Sequence, residues 1–412
     1  VASDSFLILL GGLLVLAFLA DEAFRWWRIP SVLVLMGCGL LLGPVLHLLP
    51  AEEFTRVAPH FGALAFLLIL FEGGLDLDFR TVVVRLAPGA ALALFGFLAA
   101  FALALIVARV GGLPWGSAVV LGIVLAPISG AIVLPLSGKL GLRQEVRTLV
   151  VLEGALADVL GVLGLGLAVQ LHTGGGLAGL VALGSLLAAV FSVGLAGIAG
   201  LLWPRILREL GDRRYVHVLT FGVALVLWGA VEVLGASGAL VVLTFGLTLG
   251  NEGEILRTIG LDPAPVAEVA SRVVAAQHEF IAQLTFLVRA FFFVFLGVVV
   301  RFEALLPVHY LGATAVLVAF LAGRWLLVRT LERRGSFALD PRERYIVWLL
   351  QPRGLVSAVL AIEAMHLGLP GGDGFLGVAS LVIIGSNLVM AIGLRVGGKD
   401  AAVSAAGVGK SA

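Results

Sequence analysis

Thirteen apolar stretches follow one another along this chain with only short polar breaks between them, at about 5–22, 31–49, 61–77, 86–108, 115–137, 148–170, 177–202, 215–234, 237–250, 279–300, 308–328, 345–365 and 375–394. Most are close to the roughly 20 apolar residues that a helix needs to cross the hydrocarbon core of a bilayer. No polar stretch is long enough to form a separate soluble domain. Composition agrees: 60% of the residues are hydrophobic and 13% charged, where a soluble domain carries about 25% charged residues. The reading is therefore an all-α polytopic membrane protein with thirteen transmembrane helices. The first stretch lacks a basic leading segment and reads as a span, not a cleaved leader. A single cysteine, Cys38, rules out an intrachain disulfide and makes redox chemistry a poor reading. A net charge of +1 gives no reason to invoke nucleic acid.

The distribution of charge tests the count. Of the 27 Lys and Arg residues, 21 fall in the loops after odd-numbered stretches or in the tail, and three (Arg56, Arg109, Arg301) fall on the other side. Loops rich in Lys and Arg stay in the cytoplasm. The expectation is an N-terminus outside and a C-terminus in the cytoplasm, in an inner (plasma) membrane. The last three cations, Arg289, Arg324 and Arg353, lie inside spans.

Two spans are broken. The fifth carries Pro127, Gly130 and Pro135, and the twelfth carries Pro352 and Gly354. Proline removes a backbone donor, and in lipid the freed carbonyls must be covered by protein or line a polar cavity. Each break is the fifth span of a six-span set. Matching breaks of this kind point to a transporter built from inverted repeats. The division is a first six-helix repeat at 1–171, a connector helix and loop at 172–214, a second, inverted six-helix repeat at 215–397, and a short cytoplasmic tail at 398–412.

A charge at mid-bilayer costs at least about 2.5–3.5 kcal/mol, so each one is a functional candidate. The candidates are Glu72, Glu153, Asp158, Glu232, Arg289, Arg324, Arg353 and Glu363. Glu153 and Asp158 share one helix but point about 140° apart on it, so they cannot form one bidentate site. One is free to be locked in an ion pair while the other faces a cavity. Asp158 lies mid-span among Gly154, Ala155, Ala157 and Gly161, which leave room for water and a neighbouring helix. A carboxylate there can hold a proton or a cation but not easily both. Glu232 and Glu363 lie near span ends and read as reaching the interface. The seven histidines have no metal-site spacing, and no deep Ser/His pair suggests an intramembrane protease, so the chain does not read as an enzyme.

Six motifs in order resemble the NhaP type of monovalent cation/proton antiporters, over about residues 30–395. They are LFEGGLDL at 70–77, EGALAD at 153–158, VEVLGASGALVVLTFGLTLGN at 231–251, FFFVFLG at 291–297, GRWLL at 323–327 and PRGLVSAVLAI at 352–362. The resemblance implies the sodium/proton antiporter fold and an exchange of Na⁺, or K⁺ or Li⁺, for protons by alternating access. It implies a role in pH homeostasis, a homodimer in the lipid bilayer, and no cofactor. It implies that Asp158 is the shared proton and cation site, the monovalent metal ligand, with Glu72, Ser129 and Gly154 near the ion. Glu153 and Arg324 become a structural ion pair, and Arg353 and Ser357 belong to the second break. Arginine at position 324 implies electroneutral exchange. Three positions depart from the family pattern: Ala157 replaces an asparagine, Gly154 a serine, and Leu125–Ala126 a Thr-Asp pair before Pro127. A regulated cation efflux channel and an organic-anion transporter on the same fold are the alternatives.

Overall fold

A computed structural model of the chain describes residues 3–27, 31–49, 51–172, 178–210, 215–258, 260, 267–299 and 306–408. Every regular element among them is helical. In chain order these are α1 (Ser3–Trp27), α2 (Ser31–Leu40) with a π turn (Leu41–Val45), α3 (Ala51–Asp76), α4 (Phe79–Val110), α5 (Trp115–Leu125), α6 (Gly130–Lys139), α7 (Gln144–His172) and α8 (Ala178–Leu210). They continue with α9 (Val216–Val233), α10 (Gly238–Gly250), α11 (Glu252–Thr258), α12 (Ala267–Val299), α13 (Pro307–Arg333), α14 (Pro341–Leu349), α15 (Leu355–His366) and α16 (Gly372–Val408). The described part of each apolar stretch falls on one helix or one interrupted pair. Among the described residues, eight spans are long and apolar enough to cross a membrane, counting α5 with α6 as one, or nine if α10 and α11, bent by 84°, are one span. Two further apolar helices, Ser31–Val45 and Leu355–His366, are shorter.

The helices gather into two compact units: residues 1–60, 88–165 and 290–412, and residues 61–87 and 166–289. Neither is a sequential half of the chain. Each draws helices from both of the segments read as repeats.

The first unit holds both broken spans. Helix α5 is apolar on every side, as suits a helix in a core or in a membrane, and here it lies in the core. Every residue from 121 to 134 is buried. Helix α15 packs on α16 and α5, and α13 packs on α16. At the end of this unit, Arg143 binds Glu343 through two hydrogen bonds, Nε to Oε1 at 2.8 Å and Nη2 to Oε2 at 2.5 Å. Asp340 caps α14, accepting from the Glu343 amide at 2.7 Å, while Glu343 Oε2 accepts from the Asp340 amide at 3.2 Å. With Pro341 in the first helical position, this is a complete capping box.

The second unit is closed by small residues. A Cβ on Gly246 of α10 would lie 2.6 Å from the Phe71 carbonyl oxygen of α3, so these backbones touch in a way that only glycine permits. Asn251 ties the ends of the same helices: its amide nitrogen donates to the carbonyls of Leu77 and Leu247, both at 2.8 Å, and its oxygen accepts from the Phe79 amide at 3.1 Å.

The Arg143 guanidinium holds the Glu343 carboxyl below its ordinary range. The pair therefore stabilises the folded protein above the unfolded glutamate value of about 4.3, and that stability is lost as pH falls through the lower folded value. Glu343→Gln should lower the melting temperature in detergent at pH 7 and flatten its decline below pH 4. Equal slopes in the two proteins would show that this pair does not govern acid stability.

Candidate functional site

The site grows from the two prolines. Helix α5 keeps helical geometry through Ala126, with φ −70° and ψ −39°, and stops at Pro127, which has no N–H to continue the ladder. The chain re-enters a helix at Gly130 after three residues. Between α14 and α15 the interruption covers Leu350 to Gly354, with Pro352 at its centre. These two interruptions meet. The Ser129 amide donates to the Pro352 carbonyl at 2.8 Å. A Cβ on Gly354 would lie 2.6 Å from Ser129 Oγ and 2.8 Å from Ile132 Cδ1, so a side chain at 354 would have to displace those of Ser129 and Ile132.

Two further backbone groups at the crossing find side chains. The Gly130 amide, at the start of α6, donates to Asp158 Oδ2 at 3.0 Å. A carboxylate at a helix N-terminus is favoured by the orphan donors and the helix dipole together. The Ala126 carbonyl, at the end of α5, accepts from Arg353 Nη1 at 2.5 Å. This places a guanidinium at the negative end of that half-helix. The carbon at the centre of the same guanidinium sits 4.4 Å from the centroid of the Phe320 ring, within cation–π range.

Asp158 is 0% exposed. It reaches Gly130 because α6 and α7 are in backbone contact: a Cβ on Gly154 would lie 2.9 Å from Gly130 Cα, and a Cβ on Gly130 would lie 2.8 Å from Asp158 Oδ2. The role of Gly154 is thus to be small. Among the described residues of this unit, four oxygens are buried without a hydrogen-bond partner: Asp158 Oδ1, Ser129 Oγ, Ser357 Oγ and Asn387 Oδ1. An unpaired buried polar group costs about 1–3 kcal/mol. Oxygens are hard ligands, of the kind that suits an alkali cation, water or a proton. A cavity of about 20 Å³ is lined in part by Ile128, Phe320, Arg324, Gln351 and Arg353, and none of the four oxygens lines it. That is room for about one water molecule.

Glu153 has a different environment on the same helix. Arg324 of α13 binds it bidentately, Nη2 to Oε2 at 2.6 Å and Nη1 to Oε1, and Arg324 Nε donates to the Val347 carbonyl at 3.2 Å. The pair links α7, α13 and α14, with both side chains buried. The helical angle between positions 153 and 158 explains why neighbours in sequence have such different partners.

Glu72 belongs to the second unit. It faces Thr285, Arg289, Asp76 and His278 there, and His278 Nε2 and Asp76 Oδ1 are 2.7 Å apart. This gives Arg289 a carboxylate neighbour within its own unit. Glu232 accepts from the Gly238 amide at 2.9 Å and so helps to begin α10.

The sequence reading passed over two residues of α16. Ser386 Oγ accepts from the Arg353 amide at 2.9 Å, and Asn387 Nδ2 donates to the Arg353 carbonyl at 2.8 Å. A search for intramembrane charges does not find neutral groups. The available signal was that Asn387 is one of only two asparagines in the chain and lies inside an apolar span.

The family model for the transmembrane sodium/hydrogen exchanger matches residues 12–396. The Na(+)/H(+) antiporter NhaS2 of Synechocystis is 26% identical over 243 residues, which are 58% of this chain and 44% of that protein. The K(+)/H(+) antiporter NhaP2 of Shewanella oneidensis is 25% identical over 396 residues, 91% of this chain and 63% of that protein. The chain thus spans less than two thirds of the length of either relative. The solved structure of the sodium proton antiporter MjNhaP1 from Methanocaldococcus jannaschii at pH 8 aligns with a TM-score of 0.69 at 22% identity, over 93% of this chain and 94% of that one. The fold is the same.

Removing one partner of a buried ion pair strands the other charge, at a cost of about 3–5 kcal/mol. Arg324→Ala should therefore lower the melting temperature in detergent markedly. The double change Glu153→Gln with Arg324→Met should recover much of the loss. An unchanged melting temperature in Arg324→Ala would remove the pair from the list of stabilising contacts.

Proposed function

Because the chain belongs to the sodium/hydrogen exchanger family, we propose that it is a secondary antiporter that exchanges a monovalent cation for protons, with Asp158 as the shared site. The observation that carries this reading is the state of the Asp158 carboxylate. It is fully buried, one oxygen is held by the Gly130 amide, and the other has no partner. A bare charge in such a place is costly, so the carboxylate needs either a proton or a cation. Binding of one excludes the other, and that competition couples the two fluxes.

The open oxygens of Ser129 and Ser357 supply neutral ligands near the crossing, and Gly154 allows the close approach that brings Asp158 to it. In this reading Glu72 is a further ion-binding carboxylate, set within the second unit. Arg353 keeps a fixed positive charge at the end of α5 and acts electrostatically on Asp158. The Glu153–Arg324 pair holds α7, α13 and α14 together while access alternates. A positive side chain already committed to Glu153 cannot give up its charge during the cycle, which favours one cation for one proton and an electroneutral exchange. The cation assigned in this reading is Na⁺, with K⁺ or Li⁺ as the alternatives.

The wider architecture in this proposal has thirteen crossings, two inverted six-helix repeats joined by α8, an outside N-terminus and a cytoplasmic C-terminus. The protein acts as a homodimer in a prokaryotic plasma membrane, where it serves pH homeostasis. The 21-to-3 asymmetry of Lys and Arg supports the orientation.

Purified protein in proteoliposomes with an internal pH dye tests the function. Wild type should dissipate an imposed pH gradient on addition of Na⁺, and Asp158→Asn should fall to the rate of empty vesicles. Exchange at the native rate in Asp158→Asn would overturn the site. Cation flux that ignores the pH gradient would identify a channel instead.

A further inference from the structure

The two asparagines of the chain make the same kind of clamp, but only one of them is complete. Asn251 donates to two carbonyls, and its own oxygen accepts from the Phe79 amide. Asn387 also donates to two carbonyls, those of Arg353 and Ile383, both at 2.8 Å. Its oxygen is buried and accepts from nothing, although the residue is 0% exposed. An amide that only joined α16 to the second break would not need its oxygen left open, and Asn251 shows the satisfied alternative.

What Asn387 grips is also specific. The peptide flanking Arg353 is held from both ends by consecutive residues of α16, the Arg353 N–H by Ser386 Oγ and the Arg353 carbonyl by Asn387 Nδ2. The preceding carbonyl, that of Pro352, receives the Ser129 amide. The Arg353 side chain in turn caps Ala126. Asn387 thus lies one residue from the contact that joins the two breaks, and one side chain from the end of α5.

Resting on the antiporter reading above, we propose that Asn387 is a specificity-determining residue of the exchange site. Its amide nitrogen positions the Arg353 peptide, and its amide oxygen is a neutral ligand for the transported alkali cation or its water shell. Fixed neutral oxygens set the size and number of contacts, and selectivity between cations rests on those. The amide must keep its nitrogen toward the two carbonyls, so its oxygen has one fixed direction.

The test compares apparent KM values for Na⁺ and for K⁺ in proteoliposomes, with melting temperatures measured on the same preparations. Asn387→Leu should raise the apparent KM for Na⁺ about fivefold or more, the effect of one lost hydrogen-bonding ligand, and should change the ratio of the Na⁺ and K⁺ values. Asn251→Ala should lower the melting temperature without moving either KM. If Asn387→Leu does not fold, Ser386→Ala, which releases the other end of the same peptide, is expected to raise the Na⁺ KM in the same direction. Unmoved KM values and an unmoved ratio, or an equal shift in Asn251→Ala, would overturn the proposal while leaving the antiporter reading intact. Absence of exchange in the wild type would instead overturn the reading on which it rests.

Discussion

A backbone hydrogen bond joins the two interrupted spans, from the Ser129 amide to the Pro352 carbonyl at 2.8 Å. A membrane leaves a broken helix few options, because backbone groups freed in lipid have no water to bind. Here one backbone group of each break binds the other break, and side chains bind two more. Asp158 binds the amide that opens α6, and Arg353 binds the carbonyl that ends α5. Opposite charges are thereby fixed at opposite kinds of helix end, each where the dipole favours it. Glycine at 130, 154 and 354 lets the backbones come close enough for this.

The charges of this unit divide into committed and uncommitted groups. Glu153 and Arg324 satisfy each other through two hydrogen bonds, and Arg324 spends its third donor on a backbone carbonyl. Asp158 has only one partner for its two oxygens. A saturated pair behaves as part of the scaffold, whereas a half-satisfied carboxylate is a place where something must bind. The departures from the family pattern fit the same picture. Ala126 lacks a polar side chain, and the Arg353 guanidinium meets its carbonyl instead.

Much of this was legible in the sequence for simple reasons. Apolar length gave the helices, because a bilayer sets one scale for all of them. Pro127 and Pro352 gave the breaks, because proline acts locally. The 100° step of a helix separated Glu153 from Asp158 before any partner was known. What the sequence did not disclose depends on contacts across long separations. The Ser129–Pro352 bond, the Arg353–Ala126 cap and the Ser386–Asn387 grip each join segments with no periodic pattern between them. Asn387 was missed because the search was for charge, and an amide carries none. The division into two units, each assembled from both ends of the chain, was also beyond a reading that proceeds in sequence order.

The central claim is that Asp158 holds a proton or a cation but never both. Direct competition can be read without transport, by adding Na⁺ to purified protein in a weakly buffered detergent solution containing a pH indicator. Na⁺ binding to the wild type should release protons, and Asp158→Asn should release none. Cation binding without proton release in the wild type, or the same release in Asp158→Asn, would contradict the claim.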